Sequence, residues 1–361
     1  MPALYLHVPV HRFPPPIDAS TLTTALVREI EQHCPPPSTD RDHRTLYLGG
    51  RPVRLLPSAL RTLADTIRGH LGTAVLQEVT AERSPTDASS PNLDRLRDLG
   101  VTRLSIEGRS FADEELRATG APHSAADLGR VLRRVRESGF QSTSVDLSFG
   151  GAQSHATWKR SLQRAVDLRV PHLTLHEREH TGGPDEERAR ADRFAFAMRF
   201  LDAKGYEQYE LTHFARPGHR SCYQTHVYAH GNVLGIGPGA ESFWWPDRSD
   251  PSTARRWSNV TDVAAYVDRL QNGEPPVVHQ KDLDPTALAR EYILLRLRTI
   301  AGLDLDVLEE RYGVSLRDRR AATLDRLAAE GLIHDAPDRV RLTPRGRLLA
   351  DAITQRLIRE S

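Results

Sequence analysis

Short apolar runs alternate with segments of helical spacing over the first part of the chain. Residues 4–8 form an apolar run that ends at Pro9, which is typical of a buried strand. Residues 18–34 carry apolar side chains at helical spacing and are predicted to form a helix, with Asp18 or Ser20 as its N-cap. The same reasoning predicts further strands at 45–48, 74–81, 103–107, 143–149 and 172–177, and helices at 56–71, 92–99, 125–137, 155–168 and 185–204.

This alternation predicts parallel βαβ units, in either an open doubly wound sheet or a barrel. It stops at about residue 215, and the next 70 or so residues are rich in aromatic side chains, glycine and proline. The last part is predicted to hold helices at 285–299, 304–311, 316–330 and 346–359 around short strands at 332–334 and 339–344. Helices followed by a short hairpin are typical of a winged-helix-like module. We therefore predict three parts: the strand–helix repeats at residues 1–215, a connecting elaboration at 216–284 that closes the side of a barrel, and the winged-helix-like module at 285–361.

The composition excludes several classes of protein. Of the 361 residues, 39% are hydrophobic, which is enough for sizeable cores. The formal net charge of +1 argues against a general electrostatic binder of nucleic acid. The first residues lack a basic segment followed by an apolar run, and no window approaches 18 consecutive apolar residues, so we expect a cytoplasmic protein without a membrane span. Two distant cysteines, Cys34 and Cys222, do not form a disulfide framework.

Four segments carry long motifs in a fixed order. They are residues 100–106 (GVTRLSI), 144–150 (SVDLSFG), 205–218 (GYEQYELTHFARPG) and 234–240 (LGIGPGA). Together they resemble the oxygen-independent coproporphyrinogen III oxidase family of radical SAM proteins, in particular its HemW-type haem chaperones. Several long matches in order leave little room for chance. The resemblance implies an α/β fold, an incomplete (β/α) TIM-type barrel (the radical SAM core fold), followed by a HemN-type winged-helix-like domain.

The loop after the first strand departs from this family at its cluster ligands. The family's strand and loop run H-x-P-F-C-x-x-x-C-x-x-C, and His7 and Pro9 match the beginning. The family's three cysteines hold a [4Fe-4S] cluster, and His11, Pro15 and Asp18 occupy their positions here. Proline has no ligand atom, and imidazole and carboxylate are harder ligands than thiolate. With two cysteines in the whole chain, we predict that the [4Fe-4S] cluster and its metal ligands are absent.

The pocket for S-adenosylmethionine is retained only in part. The resemblance assigns to its remnant the residues Tyr5, Gly49, Gly50, Glu82 and Asp146. Arg51 stands where the family has a third glycine, and its side chain would fill space that the methionine moiety needs. Arg109 replaces a glutamine, and Ala121 replaces an arginine that pairs with the cofactor carboxylate. Since losing such a partner costs several kcal/mol, we do not expect tight binding of S-adenosylmethionine.

The haem-binding motif of the HemW-type proteins is also changed. Where the family has H-N-x-x-Y-W, this chain has Tyr223, Gln224, Val227 and Tyr228. Three nearby histidines could supply an axial ligand to haem iron instead: His219, His226 and His230. The alternative is that they are ordinary loop histidines, because a single histidine is weak evidence for a ligand.

Residues 176–180 (HEREH) match the H-E-x-x-H pattern of zinc peptidases. That chemistry needs the two histidines one helical turn apart. This segment continues a predicted strand, where a two-residue period would place His172, His176 and His180 on one face. A metal site at the barrel mouth would then draw on His11, Glu82, Asp146 and His176. The alternative is a pocket that lost its cluster and became polar and solvated.

These observations lead to three functional hypotheses. The first is a catalytically degenerate HemW-like protein that binds haem and delivers it to a haem-accepting protein, or serves as a scaffold in haem metabolism. The second is a metal-dependent hydrolase or lyase that uses the barrel mouth. Coproporphyrinogen III oxidase activity ranks last, because it needs a cluster for which the family's ligands are missing.

Overall fold

The computed structural model describes residues 3–8, 17–33, 45–50, 57–71, 76–88, 90–151, 153–178 and 183–358. Six consecutive strands pair in parallel and in chain order. They are β1 (Ala3–Val8), β2 (Thr45–Gly50), β3 (Glu78–Arg83), β4 (Arg103–Arg109), β5 (Ser142–Phe149) and β6 (His172–Glu177). The helices of this part are α1 (Ala19–His33), α2 (Pro57–Leu71), α3 (Ser90–Asp98), α4 (Asp113–Ala118), α5 (Ala125–Glu137), α6 (His155–Asp167) and α7 (Pro184–Ala203).

Each central strand buries one face against the helices and turns a polar face inward. In β5, Val145 and Leu147 are fully buried in the main hydrophobic core, which also holds Trp158 of α6. The alternate residues Ser144 and Asp146 form hydrogen bonds with side chains of the neighbouring strands β6 and β4. A strand has a side-chain period of two, so this alternation separates the apolar core from a polar barrel interior.

The sheet continues beyond the six central strands on both sides. The added strands are β7 (Glu207–Gln208), β8 (His213–Ala215), β9 (Val233–Ile236), β10 (Glu241–Trp244), β11 (Arg255–Asn259) and β12 (Val277–Asp282). Strand β9 pairs in parallel with β1, and β10 to β12 extend that side in antiparallel fashion. The order is β12-β11-β10-β9-β1-β2-β3-β4-β5-β6-β8-β7, and no pairing closes it among the described residues. This confirms the predicted incomplete barrel.

Most of the remaining helices and strands surround a second, smaller hydrophobic core. The remaining elements are α8 (Cys222–Tyr228), α9 (Val263–Gln271), α10 (Pro285–Leu297), β13 (Leu303–Asp304), α11 (Leu305–Tyr312), α12 (Leu316–Ala329), β14 (Ile333–Ala336), β15 (Arg339–Leu342), α13 (Pro344–Arg347) and α14 (Ala350–Ile358). Three helices precede the β14–β15 hairpin, in the predicted order. The second core also takes in Leu211, Phe243 and Trp245 from earlier segments. The three-part division at 215 and 284 therefore stays a prediction. None of the helices in the described ranges is long and apolar enough to cross a bilayer.

The predicted elements differ from the structure mainly where strands are short or exposed. The third strand covers Glu78–Arg83 rather than 74–81, of which residues 74 and 75 lie outside the described residues. The helix predicted at 346–359 is two helices, α13 and α14. Four strands between residues 216 and 284 were not predicted. Strand β12 shows why, since five of its six residues are exposed and no apolar face marks it.

A buried carboxylate on α1 ties that helix to the glycine-rich loop after β9. Glu29 is 2% exposed and accepts hydrogen bonds from the Gly237 backbone nitrogen (2.8 Å) and from Asn259 Nδ2 (2.6 Å). The Tyr266 hydroxyl also donates to it. Burial raises the pKa of Glu29 to about 7, although these three hydrogen bonds oppose the rise.

We expect Glu29 to make the protein less stable as the pH rises from 5 to 7. The folded-state pKa of Glu29 lies above its unfolded value of 4.5, so its contribution is complete below pH 4.5 and is lost as the pH rises through 7. The expected loss between pH 5 and 7 is about 2 kcal/mol. Urea unfolding of wild type and Glu29→Gln across this range measures it. Glu31→Gln, on the exposed side of the same helix, is the control. Parallel pH profiles for wild type and Glu29→Gln would contradict the prediction.

Candidate functional site

The polar interior of the barrel has its centre at Glu82, near the carboxyl end of β3. Glu82 accepts hydrogen bonds from the Tyr47 hydroxyl and from the Gly50 backbone nitrogen, both at 2.8 Å. Burial raises the pKa of Glu82, and the nearby carboxylates Asp146 and Glu107 add to the rise. The carboxylate is thus held by the protein's own donors on β2.

Three tyrosines form an aromatic cluster beside Glu82. The Tyr47 ring lies 4.8 Å from that of Tyr223 and 5.9 Å from that of Tyr5, measured between centroids. The Tyr5 ring covers Gly49, since a Cβ there would lie 2.4 Å from the Tyr5 hydroxyl. Burial, with the charge of Glu82, raises the pKa of Tyr5 to about 12. These phenols therefore stay neutral at physiological pH and can donate hydrogen bonds.

Asp146 is the second acidic residue of the interior. Its carboxylate accepts a hydrogen bond from Ser105 Oγ at 3.2 Å, and Ser144 Oγ lies 3.4 Å away. Burial raises the pKa of Asp146, whereas His176 opposes the rise through its charge. His176 is exposed at the end of β6, so it contributes to the rim of the barrel.

Two further interior residues, His172 and Glu78, were not among the predicted site residues. His172 Nδ1 lies 2.7 Å from Ser144 Oγ, and its Nε2 lies 2.8 Å from the Tyr209 hydroxyl. Burial, helped by the charge of Arg103, holds the pKa of His172 well below its usual range. The sequence signal for both residues is a polar side chain at the inward positions of an otherwise apolar strand.

Glu78 fixes the helix that carries Tyr223. It accepts hydrogen bonds from Ser221 Oγ at 3.1 Å and from the backbone nitrogens of Cys222 (3.0 Å) and Tyr223 (3.1 Å). The two backbone nitrogens lie in the first turn of α8, where N–H groups have no acceptor within the helix, so Glu78 supplies one. A negative charge at this end of the helix is also stabilised by the helix dipole. The segment that replaces the family's haem motif is therefore anchored to β3.

The predicted remnant pocket is brought together around Glu82. Tyr5, Gly49 and Gly50 surround it, and Asp146 lies across β4. Arg109 has a left-handed backbone (φ 58°), and its guanidinium binds Glu107 at 2.6 and 2.9 Å rather than entering this pocket.

The residues predicted at the cluster positions are described only in part. His11 and Pro15 lie outside the described residues, as does Arg51. Asp18, one of the two predicted N-cap candidates, caps α1, and its side chain accepts a hydrogen bond from the Thr21 backbone nitrogen at 2.7 Å. That hydrogen bond lowers the pKa of Asp18.

The three candidate haem histidines lie in different surroundings. His230 is 2% exposed, its ring stacks on Phe243, and its two nitrogens lie 2.8 Å from the Tyr312 hydroxyl and 3.4 Å from Glu291. The half-buried His226 has its Nε2 2.9 Å from the Asn232 carbonyl oxygen. The half-buried His219 has its Nδ1 3.1 Å from Ser142 Oγ. The structure therefore does not bring the three together into one site.

The H-E-x-x-H segment is not helical where the structure describes it. His176 and Glu177 are the last residues of β6, and His180 lies outside the described residues. Within the described ranges, no three His, Cys, Asp or Glu side chains are arranged to hold a metal ion. The zinc-peptidase geometry therefore has no support in the described part of this segment.

Known proteins are similar to this chain over most of its length. Residues 283–349 match the family described as the HemN C-terminal domain. Heme chaperone HemW of Mycobacterium tuberculosis H37Rv is 30% identical over 87% of this chain and 80% of its own length. Heme chaperone HemW of Bacillus subtilis is 28% identical over 86% and 84%.

A solved structure shows the same fold. It is coproporphyrinogen III oxidase (HemN) from Escherichia coli, described as a radical SAM enzyme, with a TM-score of 0.80 and 21% identity over 99% of this chain and 90% of that one. Three findings point to the same family. They are the identity to the HemW proteins, the match to the HemN C-terminal domain and the barrel shared with HemN. This chain belongs to the HemW/HemN-like family of radical SAM proteins.

Proposed function

We propose that this chain is a HemW-like protein that binds haem and delivers it to a haem-accepting protein without radical chemistry. Relatives that match over more than four-fifths of the chain are heme chaperones by name. Their similarity runs through both the barrel and the C-terminal part, so a role of the whole fold is the simplest one to carry over.

The observation that carries the second half of this proposal is the set of thiolate donors. A [4Fe-4S] cluster of this family needs three cysteines, and the chain has Cys34 and Cys222. Cys222 lies on α8, where burial, with the charge of Glu78, raises the pKa of its thiol. A thiol with a raised pKa is a poor metal ligand. The donors present do not fit the cluster, so no reaction step is assigned to it.

The remnant pocket supports the same proposal. The carboxylate of Glu82 already accepts hydrogen bonds from the Tyr47 hydroxyl and the Gly50 backbone nitrogen, and the Tyr5 ring covers Gly49. Polar groups that satisfy one another inside the protein do not depend on a bound cofactor. We propose that this pocket now serves to hold β1, β2 and β3 together.

The proposal predicts the metal content of the purified protein. Protein prepared without oxygen should hold iron and sulfide well below one atom per chain, and added haem should produce a Soret band with saturable binding. Coproporphyrinogen III oxidase (HemN) from E. coli, which is described as a radical SAM enzyme, is purified and treated in the same way as the control for cluster loss during preparation. Iron and sulfide near four per chain would disprove the absence of radical chemistry. Failure to take up haem would disprove haem binding.

A further inference from the structure

A cleft opens at the amino-terminal end of the barrel, where β5 and β6 begin, at the end opposite to Glu82. Its volume is about 430 Å³, within the usual range for small-molecule sites. Three of the residues around it, Leu132, Leu168 and Val170, belong to the buried core and offer little surface to a ligand. The cleft therefore suits a compact polar ligand rather than a flat apolar one.

The ionisable residues of this cleft are all basic. Arg136, Arg169, Arg216 and His219 line it, and no carboxylate does. Among the described residues, the only ion pair of these side chains joins Arg136 to Glu137, which is 3.9 Å away and lies outside the lining. The chain as a whole is nearly neutral, at a net charge of +1, so the cleft is a local concentration of positive charge. Such a concentration favours a ligand with more than one negative charge.

Arg169 occupies a backbone position that favours glycine. Its φ is 56°, directly after the C-terminal end of α6, where the backbone nitrogen of Arg169 donates to the Val166 carbonyl (2.8 Å) and that of Val170 donates to the Ala165 carbonyl (3.2 Å). An arginine there has a backbone cost that glycine would avoid. Its exposed side chain makes no hydrogen bond or ion pair with the described residues, and it lines the cleft. The side chain is therefore available to a ligand.

His219 supplies a hydrogen-bond donor to the same cleft. Arg103 Nη1 donates to Ser142 Oγ at 3.1 Å and to the His219 carbonyl oxygen at 3.2 Å. Ser142 Oγ in turn lies 3.1 Å from His219 Nδ1, and we assign its hydroxyl hydrogen to that nitrogen. Burial lowers the pKa of His219, and the charges of Arg103 and Arg216 lower it further. The neutral ring then carries its proton on Nε2, which has no partner among the described residues.

The three guanidiniums reach the cleft from three different elements. Arg136 lies at the end of α5, Arg169 follows α6, and Arg216 follows β8. The guanidinium of Arg216 lies above the Tyr206 ring, 4.8 Å from its centroid, which holds it in position. Donors from three elements can bind separate oxygens of a tetrahedral group, whereas a carboxylate offers two oxygens in one plane.

We propose that this cleft binds the phosphoryl group of a small molecule, with Arg136, Arg169 and Arg216 on its oxygens and His219 Nε2 as a further donor. Guanidinium groups form strong, charge-assisted hydrogen bonds with phosphate oxygens. The inference goes beyond the proposed haem-binding function and does not depend on it, because the cleft is separate from both the barrel interior and α8.

The decisive variant is Arg169→Gly, tested with pyrophosphate as the probe by isothermal titration calorimetry at about 0.15 M salt. Glycine suits the left-handed backbone, so the Tm should stay the same or rise, and a loss of binding cannot come from unfolding. Loss of the guanidinium should weaken pyrophosphate binding about tenfold. Arg136→Ala should weaken it similarly. Arg133→Ala, at an exposed position one turn earlier on α5 and outside the lining, is the control and should bind as wild type does.

The pKa of His219 gives a second readout. The charges that act on its ring are those of Arg103 and Arg216, and the other two arginines lie across the cleft. Added sulfate, a tetrahedral dianion that does not titrate between about pH 5 and 8, should therefore raise this pKa by favouring the protonated ring. Histidine NMR measures the change, with His219→Ala to assign the signal. The signal of His279, on the exposed strand β12, is the control and should not move.

The possible results separate the parts of the proposal. If wild type binds no pyrophosphate up to about 1 mM, the cleft is not an anion site, whatever the result with haem. If wild type binds it but Arg169→Gly and Arg136→Ala match Arg133→Ala, the binding is elsewhere and the proposal is wrong. If citrate binds as tightly as pyrophosphate and Arg169→Gly weakens both equally, the assignment to a phosphoryl group is wrong. An unchanged pKa would remove His219 from the site.

Discussion

Replacing Arg298 with methionine is expected to destabilise the folded chain by about 3–5 kcal/mol. Arg298 follows α10 and binds Glu210, whose side chain is fully buried, with Nε at 2.9 Å and Nη2 at 2.8 Å from Oε1. The other oxygen of Glu210 lies 2.7 Å from His213 Nδ1. Without the guanidinium the carboxylate stays buried and loses its only arginine partner in the described part of the chain. Methionine keeps most of the apolar stem, so the loss reports the charge rather than the packing.

Guanidinium chloride unfolding at pH 7 measures this effect. Arg319→Met, at an exposed position of α12, is the control and should change stability by less than about 0.5 kcal/mol. The double variant Glu210→Gln with Arg298→Met should recover part of the loss, because it removes the uncompensated charge. A loss under 1 kcal/mol for Arg298→Met would show that the pair contributes little.

The pair of Glu210 and Arg298 also predicts how the stability of the protein changes at low pH. Burial alone would raise the pKa of Glu210, but the hydrogen bond and charge of His213, with Arg298, lower it to about 2. The folded-state value lies below the unfolded 4.5, so the stabilisation is present above pH 4.5 and is lost as the pH falls toward 2. Arg298→Met should therefore unfold at a higher pH than wild type during acid titration followed by far-UV circular dichroism.

The pair matters because it joins the barrel to the C-terminal part. Around it, the Leu211 backbone nitrogen donates to the Arg298 carbonyl at 2.9 Å, and that of Ile300 donates to the Tyr209 carbonyl at 3.1 Å. The motif Y-E-L-T-H that resembles the family thus has a structural role. It connects the last part of the barrel to the end of α10.

The second large effect is expected for Gly50→Ala, at the end of β2. Gly50 has φ +75°, and an added Cβ would lie 2.0 Å from the Val8 carbonyl oxygen of the neighbouring strand. The left-handed backbone costs about 1–2 kcal/mol for alanine, and displacing β1 adds about 1–3 kcal/mol. We therefore expect a loss of about 2–5 kcal/mol in the free energy of unfolding, measured by urea denaturation.

Gly120→Ala separates the two contributions. Gly120 has φ +63° and no neighbour within 4 Å of an added Cβ, so Gly120→Ala should lose only the free energy of the left-handed backbone. An equal loss for Gly50→Ala and Gly120→Ala would mean that the contact with Val8 is relieved without cost. A larger loss at Gly50 would confirm that β1 and β2 approach each other too closely there for any side chain.

Most of the architecture could be predicted before any coordinates were available. The apolar runs and helical spacings predicted the six central strands within a few residues, because burial against helices imposes a regular pattern on each element. The motifs at residues 100–106 and 144–150 correctly indicated the family. The thiolate count also needs no coordinates, since two cysteines cannot supply three ligands wherever they lie.

The contacts between polar residues on different elements could not be predicted from the amino-acid sequence. Glu29 meets Gly237 across 208 positions of the chain, and Glu78 meets Cys222 across 144. Local patterns report how a segment buries its own apolar face, whereas these contacts depend on how the strands are ordered and how far the sheet curves. That information arises only when the barrel forms, because each carboxylate or arginine finds its partner on a different element.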